Sequence, residues 1–89
     1  MISLITMSQG NPIALKRTFD SFKNVVSEII FGDLTIFEED AKLIESYKSS
    51  FNLKIVKFPF DFIFKNGFSV ILNSLADYTT NDLVIYMNC

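Results

Sequence analysis

The order of apolar and polar segments predicts an α/β fold built on a mainly parallel sheet. Four short aliphatic or β-branched runs recur along the 89 residues, and three segments with helical periodicity separate them. Strands alternating with helical stretches of that length call for crossover connections rather than hairpins. Three consecutive crossovers, right-handed as such connections almost always are, give a doubly wound four-stranded sheet flanked by three helices. A fold of this kind binds its ligand in a crevice beyond the carboxyl ends of its strands.

The first strand is expected at Ile2-Ser3-Leu4-Ile5-Thr6-Met7, a mostly apolar run of the type buried on both faces. Ser8-Gln9-Gly10 forms the connection, Asn11 is placed to cap the next helix, and Pro12 sits at its first position, where the missing N–H costs nothing. Leu15, Phe19 and Phe22 give that helix one apolar face, with Lys16, Arg17, Asp20 and Lys23 mostly on the other. Ile29-Ile30-Phe31 reads as the second strand, ending at Gly32-Asp33. Glu38, Glu39 and Asp40 then mark a helix start, where negative charge opposes the helix dipole favourably. Ile44, Tyr47 and Phe51 continue as the stripe of helix two.

Leu53 to Phe58 is the third strand, and Lys54 and Lys57 suit it to a sheet edge. Phe58 to Phe64 reads as a connecting loop, because Pro59 disfavours a central strand. Its rings either fold back over the core or form an exposed apolar patch. The third helix has the most regular pattern, with Phe68, Ile71, Leu72, Leu75 and Ala76 on one face. Thr79 to Asp82 breaks it, and Leu83-Val84-Ile85-Tyr86-Met87 is the fourth strand.

Composition narrows the function classes. The length fits one domain, residues 1–89, and ten Phe among a nearly half-apolar chain supply a core. Eight basic against ten acidic residues leave no basic footprint for nucleic acid. A single Cys and no His exclude an internal disulfide and a Cys–His dyad, and suit a reduced, cytoplasmic setting. Ile2 to Met7 is too short for a signal segment, and no run approaches a membrane span, so membrane contact is not expected. Gly10, Gly32 and Gly67 are isolated, so no glycine-rich phosphate loop is present.

The strand ends offer Thr6, Met7, Ser8 and Gln9, then Asp33, then Asn88. A carboxylate such as Asp33 accepts hydrogen bonds from ribose hydroxyls or a base N–H, whereas repulsion makes it a poor phosphate contact. It reads equally as a turn former after Gly32. A receiver-like signalling domain shares the alternation but wants an acidic cluster after the first strand, which Thr6-Met7-Ser8-Gln9 does not supply.

Taken in order, Ile2 to Ser8, Leu15-Lys16-Arg17-Thr18-Phe19-Asp20-Ser21-Phe22 and Glu28-Ile29-Ile30-Phe31-Gly32-Asp33 resemble the opening of family-2 glycosyltransferases of the GT-A fold. Gly67-Phe68-Ser69-Val70-Ile71-Leu72-Asn73 is similar to the family's Gly-Phe-small-small-Ala-Arg-Asn segment, and Asp82 to Asn88 resembles the strand leading into its DxD motif. The resemblance spans essentially the whole chain and implies the Rossmann-like βαβαβαβ half of a GT-A fold, which binds the nucleotide of a UDP-type nucleotide-sugar. It implies nucleotide-binding positions at Ser8, Gln9, Asp33, Asn73 and Asn88. In the full family fold, Mn²⁺ or Mg²⁺ bridges the diphosphate as a hard cation with oxygen ligands.

The chain departs from the family pattern at three places. Gln9 stands where many members stack an aromatic on the base, Leu72 replaces the usual Arg, and Asn88 replaces the first acidic residue of the strand-four loop. The family's metal-binding Asp, acceptor region and catalytic base fall beyond position 89, so this chain alone is expected to bind rather than transfer. The competing expectation is a non-catalytic interaction module that self-associates through the Leu83 to Met87 edge.

Overall fold

A computed structural model describes residues 1–7, 10–34, 38–47, 52–59 and 61–86. The element order is β1 (Ile2–Met7), α1 (Pro12–Phe22), β2 (Glu28–Asp33), α2 (Glu38–Tyr47), β3 (Leu53–Lys57), α3 (Phe62–Ala76) and β4 (Leu83–Tyr86). All described strand pairs are parallel, in the order β3-β2-β1-β4. The chain is therefore an α/β protein with a four-stranded parallel sheet, compatible with a Rossmann-like fold.

Alternation along the strands divides the core between two faces. Leu4, Ile29 and Phe31 face one side and pack with Leu15 and Phe19 of α1 and Ile44 of α2. Ile5, Met7, Ile30 and Leu34 face the other and pack with Phe58 and with Ile71 and Leu75 of α3. Helices thus cover both faces, as the doubly wound pattern requires. β2 is buried along its full length, which explains why its sequence reads as a continuous apolar run. β3 lies at one edge, as its lysines predict, and Lys57 is exposed.

The start of α1 forms as its residues dictate. Asn11 Oδ1 accepts the Ala14 N–H at 3.1 Å, and Pro12 opens the helix. Phe19, fully buried, meets Phe31 edge-on with ring centres 6.2 Å apart and Tyr47 at 5.3 Å. Burying a ring of that size stabilises the fold by roughly 1.5–3 kcal/mol, and edge-on pairs add to it. Tyr47 Oη donates to Asp20 Oδ1 at 2.7 Å and ties α2 to α1.

α3 corrects two expectations. It begins at Phe62 rather than near Gly67, so the end of the presumed Phe58 to Phe64 loop is helical. The turn is set by Pro59, whose carbonyl accepts the Phe62 N–H at 3.0 Å, and by the Asp61–Lys65 ion pair at 2.9 Å, one helical turn apart. The helix is broken at Gly67, where φ 80 and ψ 173 are open only to glycine. Ala76, expected on the buried face, is exposed. The buried row is Ile71 and Leu75, and Ala76 lies about 100° round the helix from Leu75.

The aromatic segment divides between its two expected outcomes. Phe58 joins the core and Phe62 packs against it, their ring centres 5.0 Å apart. Phe64 is 79% exposed. Phe51, Phe60 and Met87 lie outside the described residues.

Candidate functional site

The direction of chain progression reverses at β1. β2 and β3 build outward on one side of it, and β4 returns to the other. The crevice of such a sheet opens at the carboxyl ends of the strands on either side of that reversal. Among the described residues, that end of the sheet carries Met7 at the end of β1, Asp33 at the end of β2 and, beside Gly10, the first turn of α2.

Thr6 and Met7 end β1 as fully buried residues. Asp33 ends β2 and is 6% exposed. Its carbonyl accepts the Phe58 N–H at 2.7 Å, and it stands opposite Lys57 in the β2–β3 register. Alternation places its side chain on the same face as Ile29 and Phe31, the α1–α2 side of the sheet. Asp33 is therefore fixed in the sheet rather than in a mobile turn.

A second buried carboxylate, on α2, reaches the start of α1. Asp40 is 1% exposed, and its Oδ2 accepts the Gly10 N–H at 2.9 Å. Gly10 has φ 75, a left-handed conformation that favours glycine. Sequence reading took Asp40 as one of three acids marking a helix start and missed its inward aim. The signal was present: Asp40, Ile44 and Tyr47 recur at i, i+4 and i+7, so Asp40 extends the buried stripe of α2 by one turn. Glu38 and Glu39, off that stripe, are exposed.

Of the other predicted positions, only Asn73 lies among the described residues. Asn73 is on the exposed side of α3, two residues past the buried Ile71 and so turned about 200° from it. Ser8, Gln9 and Asn88 lie outside the described residues.

No cation cage forms from what is described. Among the described residues no group of three or more His, Cys, Asp or Glu side chains converges. Asp40 gives one carboxylate oxygen to the Gly10 N–H.

A separate polar cluster occupies the opposite, amino-terminal edge of the sheet. Glu28 is 1% exposed, and its Oε1 accepts Ser3 Oγ and the Thr80 N–H, each at 2.6 Å. Lys54 Nζ lies 3.2 Å from Oε2 and also donates to the Tyr78 carbonyl at 3.0 Å. Asn81 Nδ2 bridges Ser3 Oγ at 2.9 Å and Ser27 Oγ at 2.6 Å. Burial alone would push the Glu28 carboxyl up, but the hydrogen bonds from Ser3, Thr80 and Lys54 outweigh it and hold the group below its ordinary value. These donors come from β1, β3 and the turn into β4, so the cluster fastens β4 to the sheet. Sequence reading missed it, because its members are scattered singly between residues 3 and 81.

No membrane-spanning candidate exists among the described residues, since no helix is long and apolar enough. No protein-family model matches the chain, and no curated protein or solved structure matches it.

Proposed function

We propose that the chain binds the nucleotide of a UDP-type nucleotide-sugar, as the nucleotide half of a GT-A glycosyltransferase-like domain. The observation that carries this reading is the placement of Asp33. It is a buried carboxylate, held by the sheet at the end of the strand beside β1, where a parallel α/β sheet opens its crevice. A carboxylate at that strand end has the chemistry to accept from ribose hydroxyls or a base N–H. Ser8 and Gln9, on the adjoining connection, and Asn88, after β4, complete the proposed contacts. Diphosphate neutralisation by Mn²⁺ or Mg²⁺ belongs to the full family fold, and the residues described here supply no cage for it.

Calorimetric titration with UDP tests the reading. Wild type should bind UDP, and Asp33→Ala should weaken binding by about tenfold, the loss of one charge-assisted contact. No heat of binding, or equal affinity for the variant, would sink it.

A second reading is favoured by one observation. β4 lies at the sheet edge, and Leu83 (56%), Val84 and Tyr86 are exposed. Unlike β3 it carries no lysine to discourage pairing. On this reading the chain is an interaction module that pairs with a second copy through β4.

A further inference from the structure

β4 is the least buried strand of the sheet. Ile85 alone is half-buried and packs on the α1 side, while Leu83, Val84 and Tyr86 are exposed. Little apolar area therefore holds it down. Its attachment rests on backbone pairing with β1 and on the polar contacts of the residues that lead into it. Those contacts begin at a definite boundary. Thr79 still belongs to the end of α3, since its N–H and its Oγ1 both donate to the Ala76 carbonyl. The next residue, Thr80, donates its N–H to Glu28 Oε1, and Asn81 reaches Ser3 and Ser27.

Glu28 is the centre of this attachment. Its described partners, Ser3 Oγ, the Thr80 N–H and Lys54 Nζ, all donate to it. A carboxylate accepts only, so it suits them, whereas the neutral acid brings a proton of its own into a ring of donors. Lys54, from β3, is the charged group that faces it. Ser3 from β1 and Thr80 from the turn do not titrate, and the acids at the two ends of the turn, Asp77 and Asp82, are exposed. Lys54 also holds the Tyr78 carbonyl, so the end of α3 stays tied to β3 on the near side of the boundary.

We infer that β4, together with Thr80 to Asp82, is a detachable edge of the sheet latched by the charge on Glu28. Loss of that charge releases β4 while β1, β2 and β3 stay paired, and bares the edge of β1 from Ile2 to Ile5, which β4 covers in the closed sheet. Local opening of this kind draws on the part of a fold with the fewest buried contacts. Acid is the natural trigger: the attached state holds Glu28 below its ordinary value and so binds the proton less readily than the detached state.

Amide exchange of the whole chain tests the latch, with each rate divided by its intrinsic rate at the same pH. In wild type, protection at Thr80 and along β4 should hold from pH 7 to about pH 5 and fall about tenfold below the ordinary 4.5 of the carboxyl, while Ile29 to Phe31 of β2 keep theirs. E28Q should show the weakened β4 protection already at pH 7 and no further acid step. N81A keeps the carboxylate but removes the bridge to Ser3 and Ser27, so it should lower β4 protection at pH 7 and retain the acid step. If E28Q does not fold, the wild-type series and N81A carry the test. Loss of protection in β2 and β4 together at one pH would overturn the inference, as would β4 protection that neither variant changes.

Discussion

Two single positions show how much depends on space and charge at this scale. Gly32 faces α3, and a Cβ built there would come within 3.0 Å of Leu75 Cδ1, 3.3 Å of Met7 Cβ and 3.5 Å of Phe58 Cε2. Gly32→Ala should therefore destabilise by about 1–3 kcal/mol through overpacking. In a chain this size that lowers the melting temperature by roughly 4–8 °C per kcal/mol, and an unchanged melting temperature would contradict the packing described. The requirement was not legible in the sequence, where Gly32 reads as a turn residue. It depends on a helix more than forty residues further on in the chain.

Glu28 makes the electrostatic case. Its folded-state value lies below the ordinary 4.5, so the folded state binds its proton less readily than the unfolded chain does. The stabilisation it contributes is complete above about pH 4.5 and disappears as the pH falls below that through the folded-state value. Thermal melts from pH 7 to pH 3 should show wild type losing stability in that window. Glu28→Gln should lower stability at neutral pH and flatten the acid decline, since the amide still accepts from Ser3 and Thr80 but carries no charge. Parallel curves for the two proteins would contradict the network. Ser3, Glu28 and Asn81 are individually unremarkable polar residues, and only tertiary structure assembles them.

At the scale of elements, local chemistry determined most of what was legible. Asn11-Pro12 placed the start of α1, the lysines of β3 placed it at an edge, and the apolar runs of β1 and β2 gave buried strands. The start of α3 was missed because Pro59 was weighed as a strand breaker when it also precedes a helix start. The exposed edge of β4 has a measurable consequence. If it pairs with a second copy, light scattering should show a mass that rises with concentration, and Val84→Lys should suppress the rise by placing charge on the edge. A monomer at all concentrations would remove that reading. The edge position also predicts faster amide exchange in β4 than in β1 and β2, whose amides lie inside the sheet.

At the scale of the molecule, the alternating pattern made the architecture legible because each level agrees with the next. Short apolar runs form the sheet, helical stripes cover its two faces, and the reversal of strand order at β1 leaves Asp33 at the carboxyl end of the neighbouring strand β2. The candidate site was only partly legible. Asp33 followed from its place at a strand end, while Asp40 needed the fold to bring α2 against the β1–α1 connection. Asn73 shared a motif with its neighbours but is turned outward by helical geometry.

The most direct measurement is an amide-resolved NMR titration of the 89-residue chain with UDP, with and without Mg²⁺, a diamagnetic ion that keeps the signals sharp. The nucleotide reading predicts saturable shifts concentrated at Thr6 to Gly10 and at Asp33, with the Glu28 cluster at the far edge of the sheet unmoved. A folded spectrum that does not respond to UDP, or shifts confined to β4 and α3, would contradict it.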